Sequence, residues 1–114
     1  MTSFIFPPSH RIRQRGEFEL AFSTKALSNK WFSIHVLDNE QGYTRLGMVV
    51  SKRIMPKSVA RNFAKRLIRE FFRLNTADLP DKDFVVKVRR NINFESKAEA
   101  KLALLQLMHN VRVS

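Results

Sequence analysis

The chain has 114 residues, with 21 Lys and Arg against 10 Asp and Glu, a formal net charge of +11 and a sequence pI near 11.0. That length fits a single domain able to bury roughly 65% of its unfolded surface without disulfides or structural metal, and the charge predicts an anionic partner while leaving the fold open. The absence of cysteine excludes disulfides, thiolate zinc sites and cysteine nucleophiles. No apolar run approaches a membrane span, so a cytoplasmic protein without a membrane partner is expected.

Phe4-Ile-Phe6 and Pro7-Pro8 are too short, and lack the basic start, for a signal peptide. The prolines hold an extended arm that turns basic through Arg11, Arg13 and Arg15. Residues 17–23 read as a short helix with Phe18 and Phe22 on one face, and Ser28-Asn29 breaks the pattern. Residues 31–37 alternate, with Phe32, Ile34 and Val36 facing one way and Trp31, Ser33 and His35 the other. Turn residues at 38–42 predict a hairpin into a second strand at 43–52, within which Gly47 points to a bulge or a closely approaching backbone.

Pro56 separates that strand from a helix over 58–75, with Ser58 as candidate N-cap. Winding it at about 100° per residue gathers Val59, Ala60, Phe63, Ala64, Leu67, Ile68, Phe71 and Leu74 on one arc. The other arc holds Arg61, Asn62, Lys65, Arg66, Arg69 and Arg73, with Glu70 its only acid. Arg61, Lys65, Arg69 and Arg73 stack at i, i+4, where like charges cost a few tenths of a kcal/mol per pair. A charged face is usually only a solvated one. Here residues 45–73 carry nine basic residues and one acid, and a stripe of nearly one sign points to a polyanion, for which arginine's planar fork is suited.

Residues 76–83 read as a loop and 84–88 as a short apolar strand. Ser96-Lys-Ala-Glu99 has capping-box spacing and opens a last helix expected to bury Ala98, Leu102, Leu105 and Met108, with Leu104, Leu107 and Val111 widening the apolar face. With no repeat, low-complexity tract or linker, the chain is expected to be one compact α+β domain over 1–114, in the order helix, hairpin, helix, strand, helix.

A protein-borne active site is not expected. His10, His35 and His109 have no metal-binding spacing, the ten acids form no cluster to hold two magnesium ions, and Ser51-Lys52 lacks both a Gly-rich loop and a nucleophile elbow. Ten Phe residues form a second constellation, with Phe18, Phe22, Trp31 and Phe72 as candidates for partial exposure. Periodicity leaves two readings of Phe18 and Phe22 open. They are either the buried stripe of a short helix or an aromatic floor inside a basic rim, where each unstacked base gains ~1–3 kcal/mol.

Arg45-Leu-Gly-Met-Val-Val-Ser-Lys-Arg53 followed by Ala60-Arg-Asn-Phe-Ala-Lys-Arg-Leu-Ile-Arg-Glu-Phe-Phe-Arg73 closely resembles the protein subunit of bacterial ribonuclease P. That signature is an Arg-Asn-Arg helix continued by Lys-Arg and Arg-Glu-x-Phe-Arg, after a Gly-bearing strand ending in Ser-Lys-basic. Glu17-Phe-Glu-Leu-Ala-Phe22 and Asp83-Phe-Val-Val-Lys-Val88 extend the resemblance to nearly the whole chain. It implies the ribosomal protein S5 domain 2-like fold, with one strand beyond the hairpin and a left-handed βαβ crossover, a handedness avoided by about 98% of such units.

The resemblance further implies a holoenzyme of one protein and one catalytic RNA that removes the 5′ leader of precursor tRNA, using Mg2+ bound mainly by the RNA. Arg61, Asn62, Lys65, Arg66, Arg69 and Arg73 would face the RNA, with Lys52 and Arg53 beside the helix start. Arg11, Arg13, Phe18, Phe22, Ser33 and His35 would line a cleft for the single-stranded leader. Two positions depart from the family pattern. Phe63 stands where the signature has its second arginine, and His35 where the strand is often aromatic. A ribosomal-type structural RNA-binding protein is the alternative, and a DNA-binding protein using the same helix is a third reading.

Overall fold

The computed structural model describes residues 19, 22–38, 42–75 and 82–113, with backbone alone at 112 and 113. Its elements are β1 (Ala26–Ser28), β2 (Phe32–Asp38), β3 (Arg45–Val49), α1 (Ser58–Asn75), β4 (Lys82–Val88) and α2 (Lys97–Val113). Glu19 and Phe22 are also helical and Ser23 is already a turn; residues 17, 18, 20 and 21 of the expected first helix, most of the 38–42 turn and residues 76–81 lie outside the described residues, while Lys82 and Asp83, expected in the loop, open β4.

The four strands form one sheet in the order β1-β2-β4-β3. The expected hairpin between 31–37 and 43–52 is therefore corrected. β4 lies between β2 and β3, antiparallel to the first and parallel to the second. Its apolar run explains the choice, since Phe84, Val85, Val86 and Val88 are all buried. A strand rich in valine and apolar on both sides is most stable with a neighbour on each edge. β3, α1 and β4 thus make the parallel strand–helix–strand unit for which the resemblance implies a left-handed crossover. Gly47 is buried and sits in unbroken register opposite Val85, so of the two expectations for it the bulge is absent from the β3–β4 ladder.

The hairpin is instead β1–β2, and the break at Ser28-Asn29 is its turn. Asn29 Oδ1 accepts from the backbone N–H of Trp31 (2.9 Å) and Phe32 (3.0 Å), its own N–H donates to the Phe32 carbonyl (2.9 Å), and its Nδ2 donates to the Ala103 carbonyl of α2 (2.9 Å). One asparagine closes the turn and ties it to the last helix. Trp31 is buried beside it, correcting its expected exposure. Its Nε1 donates to Glu99 (3.0 Å), and the Arg90 guanidinium lies 5.2 Å from its ring centroid.

Alternation in β2 sorts the two faces as its residues predict. Phe32, Ile34 and Val36 pair with Val88, Val86 and Phe84 on the face covered by the helices, and Ser33, His35 and Leu37 pair with Lys87, Val85 and Asp83 on the other. α1 contributes Ala64, Leu67, Ile68 and Phe72 to the core, each large side chain stabilising by ~1.5–3 kcal/mol. Phe72 is fully buried, 5.6 Å from the Phe84 ring, rather than partly exposed. The sheet meets the helix about one residue step away from the centre of the apolar arc, so Val59 and Leu74 stay in water.

α2 rotates in the same way. Ala100, Leu104, Leu107 and Met108 are buried, while Ala98, Leu102 and Leu105 are exposed. The helix carries two overlapping apolar stripes, and packing on the sheet selects one. Its start is as expected, but the reciprocal bonds lie one turn earlier. Ser96 Oγ accepts from the Asn93 N–H (3.0 Å) and Asn93 Oδ1 from the Ser96 N–H (2.9 Å), which leaves Glu99 to Trp31. At α1 the Lys57 carbonyl accepts the first bond, from the Arg61 N–H (3.1 Å), so the cap falls one residue before Ser58.

Asn29→Ala should lower unfolding free energy by about 2–3 kcal/mol, because it leaves partly buried N–H groups without acceptors. Asn29→Asp, which keeps those two acceptor bonds and loses only the donor to Ala103, should cost less. Urea titration of the two variants checks the order.

Candidate nucleic-acid interface

The cationic ridge of α1 faces away from the core. Asn62 and Arg66 are exposed, and Lys65, Arg69 and Arg73 are half-buried by their stems. Arg61 and Arg73, both expected to face RNA, also serve the protein. Arg61 donates from Nη1 to the carbonyls of Met55 (2.9 Å) and Pro56 (2.7 Å), clamping the segment that leads into the helix. Arg73 pairs with Glu70, donating from Nε to Oε2 (3.0 Å) and from Nη2 to Oε1. That hydrogen bond holds the Glu70 carboxyl below its usual range and raises the Arg73 guanidinium further. The first turn of α1 holds no acid.

Lys52 and Arg53 are exposed on the turn before α1. Ser51 shapes that turn, its carbonyl accepting from the Met55 N–H (3.0 Å) and its Oγ from the Ile54 N–H (3.2 Å), while fully buried Met55 anchors it. Arg53 shares a hollow of about 450 Å³ with Lys87 and Arg89. Sequence reasoning missed Lys87 and Arg89. The signal for Lys87 was its place in Phe84-Val-Val-Lys-Val88, where alternation puts it on the face of Ser33 and opposite that residue in register. Arg89 also donates to the Asn29 carbonyl.

On the same sheet face, Phe22 is 41% exposed and meets the His35 ring edge-on, with centroids 5.2 Å apart and planes at 71°. His35 Nδ1 lies 3.0 Å from the Thr24 carbonyl. A carbonyl only accepts, so Nδ1 is the donor of this bond and carries its hydrogen. Ser33 Oγ lies 3.0 Å from Ser28 Oγ. The structure brings Phe22, Ser33 and His35 to one face; Arg11, Arg13 and Phe18 lie outside the described residues. The residues expected beside the RNA, Lys52 through Arg73, sit together on and before α1.

Four of the described carboxylates are engaged within the protein. Asp83 forms a bidentate pair with Arg45 (2.8 and 2.6 Å), Glu70 holds Arg73, Glu99 lies 3.8 Å from Lys30, and Asp38 lies 3.2 Å from Lys82. Among the described residues no three His, Asp or Glu side chains gather as a metal would require, and no helix is long and apolar enough to cross a membrane.

A mixed sheet with helices packed on one face, a cationic ridge on one helix and an aromatic, lysine-rimmed patch on the opposite sheet face defines a small basic α+β domain suited to a polyanion. The Ribonuclease P family matches residues 6–112, and the chain belongs to that family, whose role lies in tRNA 5′ processing. It is 36% identical to the ribonuclease P protein component of Chromobacterium violaceum over 108 residues, covering 94% of this chain and 89% of that one. It is 37% identical to that of Halorhodospira halophila over 109 residues, with the same coverage. Among solved structures, the fold is similar to the RNase P protein of Staphylococcus aureus (TM-score 0.82, 26% identity, 91% and 96% of the two chains). It is also similar to that of Thermotoga maritima (TM-score 0.72, 33% identity, 88% and 96%).

The exposure of Phe22 separates it from the core. Phe72→Ala should cost ~3–5 kcal/mol of stability, and Phe22→Ala, already partly in water, less than about 1.5 kcal/mol. Chemical denaturation of the two variants reads the difference.

Proposed function

We propose that this chain is the protein subunit of a ribonuclease P holoenzyme. It binds the catalytic RNA through α1 and the single-stranded 5′ leader of precursor tRNA across the sheet face that carries Phe22, Ser33 and His35. The observation that carries this reading is the presence of two separate surfaces suited to RNA on one small domain. One is a ridge of nearly one charge, suited to phosphates. The other is an exposed aromatic beside a fixed imidazole with Lys87 in the adjacent strand, suited to unstacked bases.

In this proposal the ridge supplies position. Lys65, Arg66 and Arg69 meet phosphates of a folded RNA, and Lys52 and Arg53 extend the contact before the helix start. Arg61 adds rigidity by holding the 55–56 carbonyls, and Asn62 presents an amide beside it. Arg73, paired with Glu70, marks the far end of the ridge. Arg11, Arg13 and Phe18 complete the leader path by resemblance to the family. The protein orients the leader relative to the RNA, in a one-to-one complex in the cytoplasm. Cleavage of the phosphodiester belongs to the RNA with its Mg2+; among the described carboxylates, Asp38, Glu70 and Asp83 each hold a Lys or Arg partner and Glu99 holds Trp31 and Lys30, and no step is assigned to them.

Replacing Lys65, Arg66 and Arg69 together by Ala should weaken binding to the catalytic RNA of the same organism. It should also lower the slope of log affinity against log salt by up to roughly 2–3, at ~0.7–0.9 per lost phosphate contact. An unchanged slope would put the RNA on another face. The leader surface has its own test. In the assembled enzyme, Phe22→Ala should weaken leader-bearing precursor tRNA about 5- to 150-fold, the value of one stacked base, and leave mature tRNA nearly unchanged. Equal losses on both RNAs would remove Phe22 from the leader path.

A further inference from the structure

An apolar hollow lies away from the leader face, at the N-terminal end of α1. It is a groove of about 740 Å³ between the 54–60 segment and the 91–94 loop, with Val59, Phe63, Ile92 and Phe94 among its walls. Phe94 and Val59 are 78% and 79% exposed, so two large apolar side chains stand in water on one rim. Ile92 is buried and holds the base of the loop, and the reciprocal Asn93–Ser96 hydrogen bonds keep Phe94 on a fixed turn. Phe63 is partly buried against the core. It lines this groove at the position where the signature has arginine, so an apolar wall stands where a cation would otherwise be.

The rim is cationic. Lys57 lines the groove, and the Lys97 ammonium lies 5.3 Å from the Phe94 ring centroid. Glu95, exposed beside Phe94, is the one acid next to that ring in sequence. A cation over an aromatic face, with a second lysine across the groove, favours an occupant that joins a flat π-system to negative charge. An acidic peptide would satisfy the charge and leave the flat aromatic face with little to stack on. The groove is also continuous with the ridge. Arg61 binds the carbonyls of Met55 and Pro56, which belong to groove-lining residues, and Val59 precedes Lys65 by six helical positions, about 9 Å along the axis. One RNA can touch both.

The geometry points to a nucleotide-binding groove in which an unstacked base of the RNA held on α1 lies against Phe94, with its phosphates near Lys57 and Lys97. This rests on the RNA-binding reading above and adds a contact of a different kind, apolar stacking at the end of an electrostatic ridge.

The test uses the full chain and the catalytic RNA of the same organism. Phe94→Ala should weaken that binding about 5- to 150-fold and leave the salt slope unchanged, since no phosphate contact is lost. Phe94→Trp should retain affinity, and its added indole emission, measured against the wild-type signal of buried Trp31, should be quenched when RNA binds. Thermal melting confirms folding, which an exposed side chain should not disturb. If the wild type binds and the Lys65, Arg66 and Arg69 variant changes the salt slope while both Phe94 variants behave as wild type, the groove proposal falls and the ridge stands. If Phe94→Ala instead abolishes self-association and leaves RNA affinity intact, the groove is a contact between copies of the chain and the proposal is overturned. If the wild type does not bind the RNA, the underlying reading fails and this one with it.

Discussion

The position of β4 between β2 and β3 is the constraint on which the rest of the molecule depends. A parallel neighbour cannot be reached by a tight turn, so the chain leaving β3 must cross the sheet before returning, and α1 is that crossing. Pairing β4 on both edges thereby puts a long helix against one sheet face and turns its charged side outward. The same pairing brings Lys87 beside Ser33 and buries Val85 next to His35 in register. Were β2 and β3 paired directly, these side chains would have no shared face.

Charge in this domain is distributed by use. Four of its acids are each engaged by a named cation or indole, and the Arg45–Asp83 pair, with side chains 16% and 6% exposed, stitches β3 to β4 in parallel register. Removing one partner of such a pair is costly because the other charge stays buried. Glu70 and Arg73 are different, being at the solvent boundary. Because the Glu70 carboxyl is held below its usual range, whatever the pair contributes is present above the ordinary carboxylate pKa and is lost as acidification takes the pH through the lowered value. At an exposed site that contribution is small. Its larger consequence is to direct the Arg73 fork, while like charges spaced at i, i+4 along α1 repel one another, a cost that the proposed RNA partner would relieve. Binding and stability are therefore linked, and the bound state should be the more stable one.

Asn29 shows how little sequence such a framework needs. Its side chain and backbone join the turn of β1–β2 to α2, and Trp31 beside it reaches both Glu99 and Arg90. The sheet face bearing His35 and the helices that cover its back are thereby held in fixed relation. The proposed role of orienting a flexible leader would depend on this rigidity, because looseness in the first contacts would be repeated along the strand.

The sequence by itself determined the elements with strong period, the segregation of Arg and Lys on α1, the alternation that separates Phe32 and Ile34 from Ser33 and His35, and, through its motifs, the family. These are local properties, written in spacing alone. What it left open was decided by long-range contact. Strand order was invisible because pairing between β2 and β4 joins residues about fifty positions apart, which no local period records. The buried arcs of α1 and α2 were right in kind but turned from their expected centres, since a broad apolar surface presents whichever part the sheet accepts. Phe72, Leu102 and Leu105 changed sides for that reason. The groove at Phe94 had no signature at all. It exists only because the crossing helix and the loop after β4 come together, and only tertiary packing leaves Val59 and Phe94 facing water beside two lysines.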